Sequence, residues 1–176
     1  MFFVGKISRR NRGFSLIELL FVLAIAGFLL SFAYPRYARG QAKGKGQALG
    51  GDVVTLAADI SASFNGNLAN VSDANIISGS LLKNIATITN NGGTLTTNMG
   101  GTISCSPSKL NVNNDSFTCV ITDVKDGACE AMGTALGRAA LKLSVAGTIV
   151  KAPGTPMDSS KVTCSNDSTQ FDAVFN

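Results

Sequence analysis

Residues 14–33 form an apolar run broken only by Ser15, Glu18, Gly27 and Ser31, and a basic cluster stands directly before it. As a helix, about 20 residues span roughly 30 Å, the thickness of one bilayer core. Lys6, Arg9, Arg10 and Arg12 lie in the first 13 residues, which carry no acid. The positive-inside rule keeps that cluster on the cytoplasmic side and sends the C-terminal side across. Without these four of its 15 basic residues the chain has 11 bases against 11 acids. Its formal charge of +4 therefore belongs to the leader and gives no argument for a nucleic-acid-binding surface.

Glu18 is the anomalous residue of the run. A carboxylate within a membrane span costs about 2.5–3.5 kcal/mol, and such a residue is by default functional. Its nearness to the helix start offers a cheaper, purely structural explanation. Ser31-Phe32-Ala33 also resembles a small-x-small site, as in an ordinary secretory signal peptide. Apolar regions of such peptides are typically about 7–15 residues, shorter than this run, and they have no use for an internal acid.

Gly13-Phe14-Ser15-Leu16-Ile17-Glu18-Leu19-Leu20, behind a basic leader and ahead of Pro35, resembles the class III signal of type IV prepilins. That resemblance implies cleavage by a prepilin peptidase after Gly13 and N-methylation of the new N-terminal Phe14. Glu18 falls on the family's assembly glutamate, five residues after the cut. Glycine leaves a narrow protease subsite unobstructed, and the freed amine of a neighbouring subunit can pair with the Glu18 carboxylate. The apolar faces of the helices would supply most of the adhesion. In the family a proline at the place of Pro35 lets the helix bend; on its own, Pro35 reads as a kink or as the helix end.

The second half of the helix is legible as a stripe. Leu49, Val53, Leu56, Ile60 and Phe64 recur at spacings of four, three, four and four, which is one helical face. Asn65-Gly66-Asn67 ends it. Gly40, Gly44, Gly46, Gly50 and Gly51 predict a compliant helix with a potential break at Gly50-Gly51. Beyond residue 60, abundant Gly, Ser, Thr and Asn favour turns and short strands. Ser72 or Asp73 caps a short helix containing Ile76, Ile77, Leu81 and Leu82. Strands are expected over residues 85–89, 94–97, 102–104, 116–122, 141–150 and 171–175. Asn90-Asn91-Gly92-Gly93 and residues 111–115 form turns, and 151–160 a loop. Asp126 opens a helix with Cys129, Met132, Leu136 and Ala139 or Ala140 on one face.

The four cysteines, Cys105, Cys119, Cys129 and Cys164, have no C-x-x-C spacing, and the chain has no histidine. An even count behind an export signal favours two disulfides in an oxidising compartment over a metal site. Sequence alone allows three connectivities, although alternation places Cys105 and Cys119 so that they face each other across a hairpin. The element order also resembles type IVb pilins, in which a cysteine on a late helix is bonded to one near the C-terminal strand. That resemblance implies Cys129–Cys164 and leaves Cys105–Cys119, whereas Phe14 and the short leader fit type IVa.

The expected fold is α+β: a long N-terminal helix, half membrane-spanning and half amphipathic, packed on an antiparallel sheet in the pilin manner. The expected divisions are a leader (1–13), an apolar helix (14–34), its amphipathic continuation (35–65) and a globular head (66–176). The expected function is a filament subunit that polymerises with itself after processing by the peptidase and the inner-membrane assembly machinery. It would be held in the inner membrane as a precursor and then displayed outside the cell for adhesion, aggregation, conjugation or motility. A minor pilin or type II secretion pseudopilin is the alternative, and a monomeric membrane-anchored binding protein is a third class. With no histidine, nucleophile motif, P-loop or metal-ligand cluster, no enzyme, cofactor or metal is expected. Asp52, Asp59 and Glu130 read as solvated acids or local caps.

Overall fold

A computed structural model describes residues 15–164 and 168–176. The chain divides at Ala38/Arg39 into two compact units. Helix α1 runs from Leu16 to Phe64 with no break. In the first unit its apolar side chains are all exposed, from 53% at Leu19 to 79% at Leu16.

In the second unit α1 buries Gly46, Leu49, Gly50, Val53, Leu56, Ala57 and Ile60, and Phe64 packs at the edge of the same core. The helix does not break at Gly50-Gly51. Gly50 and Gly46 instead lie against helix α3 (Asp126–Ala139). A Cβ at Gly46 would collide with the Ala128 carbonyl, and one at Gly50 would lie 2.7 Å from the Ala135 Cβ. These two glycines therefore exchange helix propensity for close packing, whereas Gly40, Gly44 and Gly51 have open space beside them.

Among the described residues the head sheet has seven antiparallel strands: β1 (Ile88–Asn91), β2 (Thr94–Thr97), β3 (Thr102–Lys109), β4 (Asn113–Val124), β5 (Lys142–Val145), β6 (Thr148–Lys151) and β7 (Thr169–Phe175). Their spatial order is β1-β2-β3-β4-β7-β5-β6, so the C-terminal strand lies between β4 and β5. Leu95, Ile103, Phe117, Ile121, Leu143, Val145, Phe171 and Ala173 are buried. The alternation along β7 and the middle of β4 is that of a sheet with one covered face. Short helix α2 (Asp73–Ser78) starts at Ser72, whose hydroxyl accepts from the Asn75 N–H.

Several element limits differ from the sequence reading. Residues 85–87 are not strand: Ile85 is buried as a loop residue, and β1 begins at Ile88. The expected strand over 141–150 is a hairpin. Ala146 and Gly147 both have positive φ, 49° and 79°, as a tight two-residue hairpin turn requires. β3 and β4 extend much further than expected, and Asp115 holds the loop between them.

Candidate functional site

Gly13 and Phe14, with the whole leader, lie outside the described residues. The described chain begins at Ser15, whose carbonyl accepts from the Leu19 N–H at 3.1 Å. Glu18 is in the first turn of α1 and exposed. A helix N-terminus favours an anion there, which makes the acid tolerable within an otherwise apolar segment. Among the described residues Glu18 has no ion-pair partner. Pro35 lies inside the helix, which continues on both sides. Proline has no N–H to donate to the Ser31 carbonyl one turn earlier, and the Ser31 hydroxyl bonds the Phe28 carbonyl at 2.7 Å. Among the described residues, α1 is the one helix long and apolar enough to cross a membrane.

Two disulfides lock the head. Cys105 and Cys119 are direct partners in the β3–β4 ladder, with Cα atoms 4.1 Å apart. The Cys105 N–H also donates to Asp73 Oδ1 at 2.8 Å, which ties α2 to β3. Cys129 on α3 is bonded to Cys164, which follows the 3-10 turn Ser159–Lys161; their Cα atoms are 5.9 Å apart. Loop closure by such bonds contributes about 2–4 kcal/mol each.

Two acids have roles that local patterning does not reveal. Asp52 is neither a solvated acid nor a local cap. Its Oδ2 accepts from the Ala86 N–H (3.1 Å), the Thr87 N–H (2.9 Å) and the Thr87 hydroxyl (2.7 Å), which ties α1 to the entry of β1. Thr87 is buried, so Asp52→Ala would strand its donors. The expected loss is about 2–3 kcal/mol, read as a lower denaturation midpoint. Asp52→Asn should lose less, because it keeps an acceptor oxygen.

Asp115 gathers the β3–β4 loop. It accepts from the N–H groups of Leu110 (2.7 Å), Asn111 (2.6 Å) and Val112 (2.8 Å), and from the Ser116 hydroxyl (3.1 Å). The Leu110 N–H, then those of Val112 and Asn111, favour the carboxylate and lower its pKa from 3.8 to about 2. A folded-state pKa below the unfolded value gives stabilisation that is present above about pH 4 and lost as the pH falls through about 2. Amide protons of Leu110 and Val112 should therefore lose exchange protection in that window. In Asp115→Asn their protection should be low already at neutral pH.

Further ties close the head. The Ser61 hydroxyl donates to the backbone carbonyl of Asn176 at 2.8 Å, and Lys151 Nζ donates to the Gly137 carbonyl in the last turn of α3 at 2.7 Å. Among the described residues no group of three or more His, Cys, Asp or Glu side chains is placed to hold a metal ion. Among the described residues, the groove beside α1 lined by Val54, Ser61 and Phe175 brings together no acid, base and nucleophile.

The family described as "Prokaryotic N-terminal methylation motif" matches residues 8–34, and that described as "PilS N terminal" matches residues 63–174. The type IV major pilin protein PilA of Myxococcus xanthus (strain DK1622) is 48% identical over 42 residues, covering 24% of this chain. The match spans only 19% of that relative's length. The crystal structure of a type IV b pilin from Salmonella typhi matches with a TM-score of 0.53 at 20% identity, over 78% of this chain and 99% of that one. TcpA, a type IV pilin from the Vibrio cholerae El Tor biotype, matches with a TM-score of 0.52 at 10% identity, over 75% and 99%. At such identities the likeness is one of fold: a long N-terminal helix against an antiparallel sheet. The family match over most of the head decides the assignment, and the methylation motif at the start of the apolar helix agrees with it: the chain belongs to the type IV pilin family.

Proposed function

We propose that this pilus subunit is the major structural component of an extracellular filament. In this reading a prepilin peptidase cuts the chain after Gly13, and the amine of Phe14 is methylated. α1 then holds the subunit in the inner membrane until the assembly machinery stacks it with further copies of itself. The observation that carries the reading is the first stretch of α1. Fourteen large apolar side chains from Leu16 to Tyr37 are more than half exposed, on a helix with a carboxylate in its first turn. Such a surface needs lipid or other helices around it. A bundle of identical helices covers it, and a neighbour's Phe14 amine there neutralises Glu18. The family and the fold are those of structural pilins, not of enzymes.

Two disulfides and the Asp52 and Asp73 ties suit a head that stays folded outside the cell, where no chaperone rescues it. The filament would serve adhesion, aggregation, conjugation or motility through the polar outer surface of the head. Shearing the cell surface and imaging the released material tests the reading. This chain should be the dominant protein of the filaments, and an antibody to the head should decorate their whole length. Label confined to the tips, or the chain found only in the membrane fraction, would instead favour a minor pilin or a pseudopilin.

A further inference from the structure

The charges of the mature segment are unevenly placed. No acid occurs between Glu18 and Asp52, yet Arg36, Arg39, Lys43 and Lys45 fall within ten residues of that interval. All four are exposed, and among the described residues none takes part in an ion pair. Helix α3, whose first turn abuts Ala42, carries exposed Asp126 in that turn and exposed Glu130 one turn on, but among the described residues neither pairs with them. Arg36, Arg39 and Lys43 are spaced by three and four, the spacing of one helical face. Tyr34 and Tyr37, 72% and 67% exposed, stand just where the apolar run ends. Tyrosines in that position mark the boundary between hydrocarbon and headgroups.

From that boundary the distances follow. A helix rises about 1.5 Å per residue, so Arg39 lies about 7–8 Å beyond Tyr34 and Lys43 about 13–14 Å beyond it. The headgroup layer is about 5–8 Å deep on each side. Arg36 and Arg39 therefore lie within it, and Lys43 lies within about one Debye length of its outer edge. We propose that Arg36, Arg39 and Lys43 form a binding site for anionic phospholipid headgroups in the leaflet opposite the basic leader. The site holds the subunit upright beside its assembly partners and has to be vacated when the subunit leaves the membrane. This proposal rests on the membrane-held precursor described above.

The site is tested with the full chain in vesicles of equal phosphatidylglycerol and phosphatidylcholine. A photo-crosslinking amino acid in place of Ala38 reports only lipids beside this segment, so the leader on the other face does not contribute. Cross-linked phosphatidylglycerol should exceed phosphatidylcholine by about fivefold or more, the order expected for even one cation near an anionic surface. The preference should fall toward parity in 1 M salt, where the Debye length shrinks to about 3 Å. It should fall equally in Arg36→Gln/Arg39→Gln/Lys43→Gln, while Lys109→Gln/Lys125→Gln leaves it intact. Parity in the unsubstituted chain overturns the lipid site but not the membrane reading, because lipid is still captured. Cross-links to a second copy in place of lipid, or a preference abolished by inorganic phosphate at constant ionic strength, also overturn the site. Capture of neither lipid overturns both.

Discussion

Glu18→Ala is expected to leave leader removal and the disulfide-bonded head intact and to strip the cell surface of filaments. Its carboxylate is exposed at the first turn of α1, far in sequence from the head core, so its removal costs the fold nothing. In the filament it would be the counter-charge for a buried amine. Removing one partner of a buried pair costs about 3–5 kcal/mol, which weakens subunit addition on the order of a hundredfold or more. The measurement is the amount of this chain in the sheared fraction, with processed subunit in the membrane fraction as control. Glu18→Gln should rescue little, because the amide has no charge to offer. Normal filament yield from either variant would remove Glu18 from the assembly account.

The largest effect on the head itself is expected from Phe171→Ala. Phe171 is fully buried on β7, opposite Ile121 of β4 and Val145 of β5. Its ring also approaches Gly133 of α3, 3.5 Å from where a Cβ would stand. One side chain thus joins the middle of the sheet to the helix covering it. Truncation leaves a cavity that strands on both sides cannot close, at a cost of about 3–5 kcal/mol. For a domain of this size the melting temperature should drop by roughly 10 °C or more. Ile149→Ala, at a side chain 50% exposed on the hairpin flank, should change stability by no more than about 0.5 kcal/mol. Equal melting of the two variants would mean that the sheet–helix contact is not where the head's stability resides.

Periodicity made much of this architecture legible. The stripe from Leu49 to Ile60 is buried, and Ser72 and Asp126 start helices where their side chains and positions imply. Period-two alternation located the middle of β4 and β7, because one face of the sheet is covered and the other wet. What periodicity could not supply was non-local. Asp52 looks solvated in any window of sequence, since the donors it serves are 34 and 35 residues away. Gly46 and Gly50 read as weak points because helix propensity is a local quantity, while the close approach of Ala128 and Ala135 is a tertiary one.

The β5–β6 hairpin is hidden in the sequence because the apolar pattern runs straight through it: Leu141, Leu143, Val145 and Ile149 all fall on odd positions, and only burial shows the break. Leu143 and Val145 are buried at odd positions and Val150 at an even one, a change of phase that a single straight strand cannot produce. Ala146-Gly147 is where the phase changes, and alanine at positive φ is rare enough to hide the turn. Charge hid a feature in the same way. The balance of acids and bases beyond the leader looks featureless as a total, and only their order along α1 exposes the acid-free interval from 19 to 51.

The assembly account turns on a bond that the described residues do not include, between Gly13 and Phe14. Mass spectrometry of the N-terminal peptide of the mature chain, taken from sheared surface material, tests it most directly. The account predicts a chain that begins at Phe14 with its amine methylated. A mature N-terminus at Tyr34, following Ser31-Phe32-Ala33, or an uncut chain that retains the leader, would contradict it.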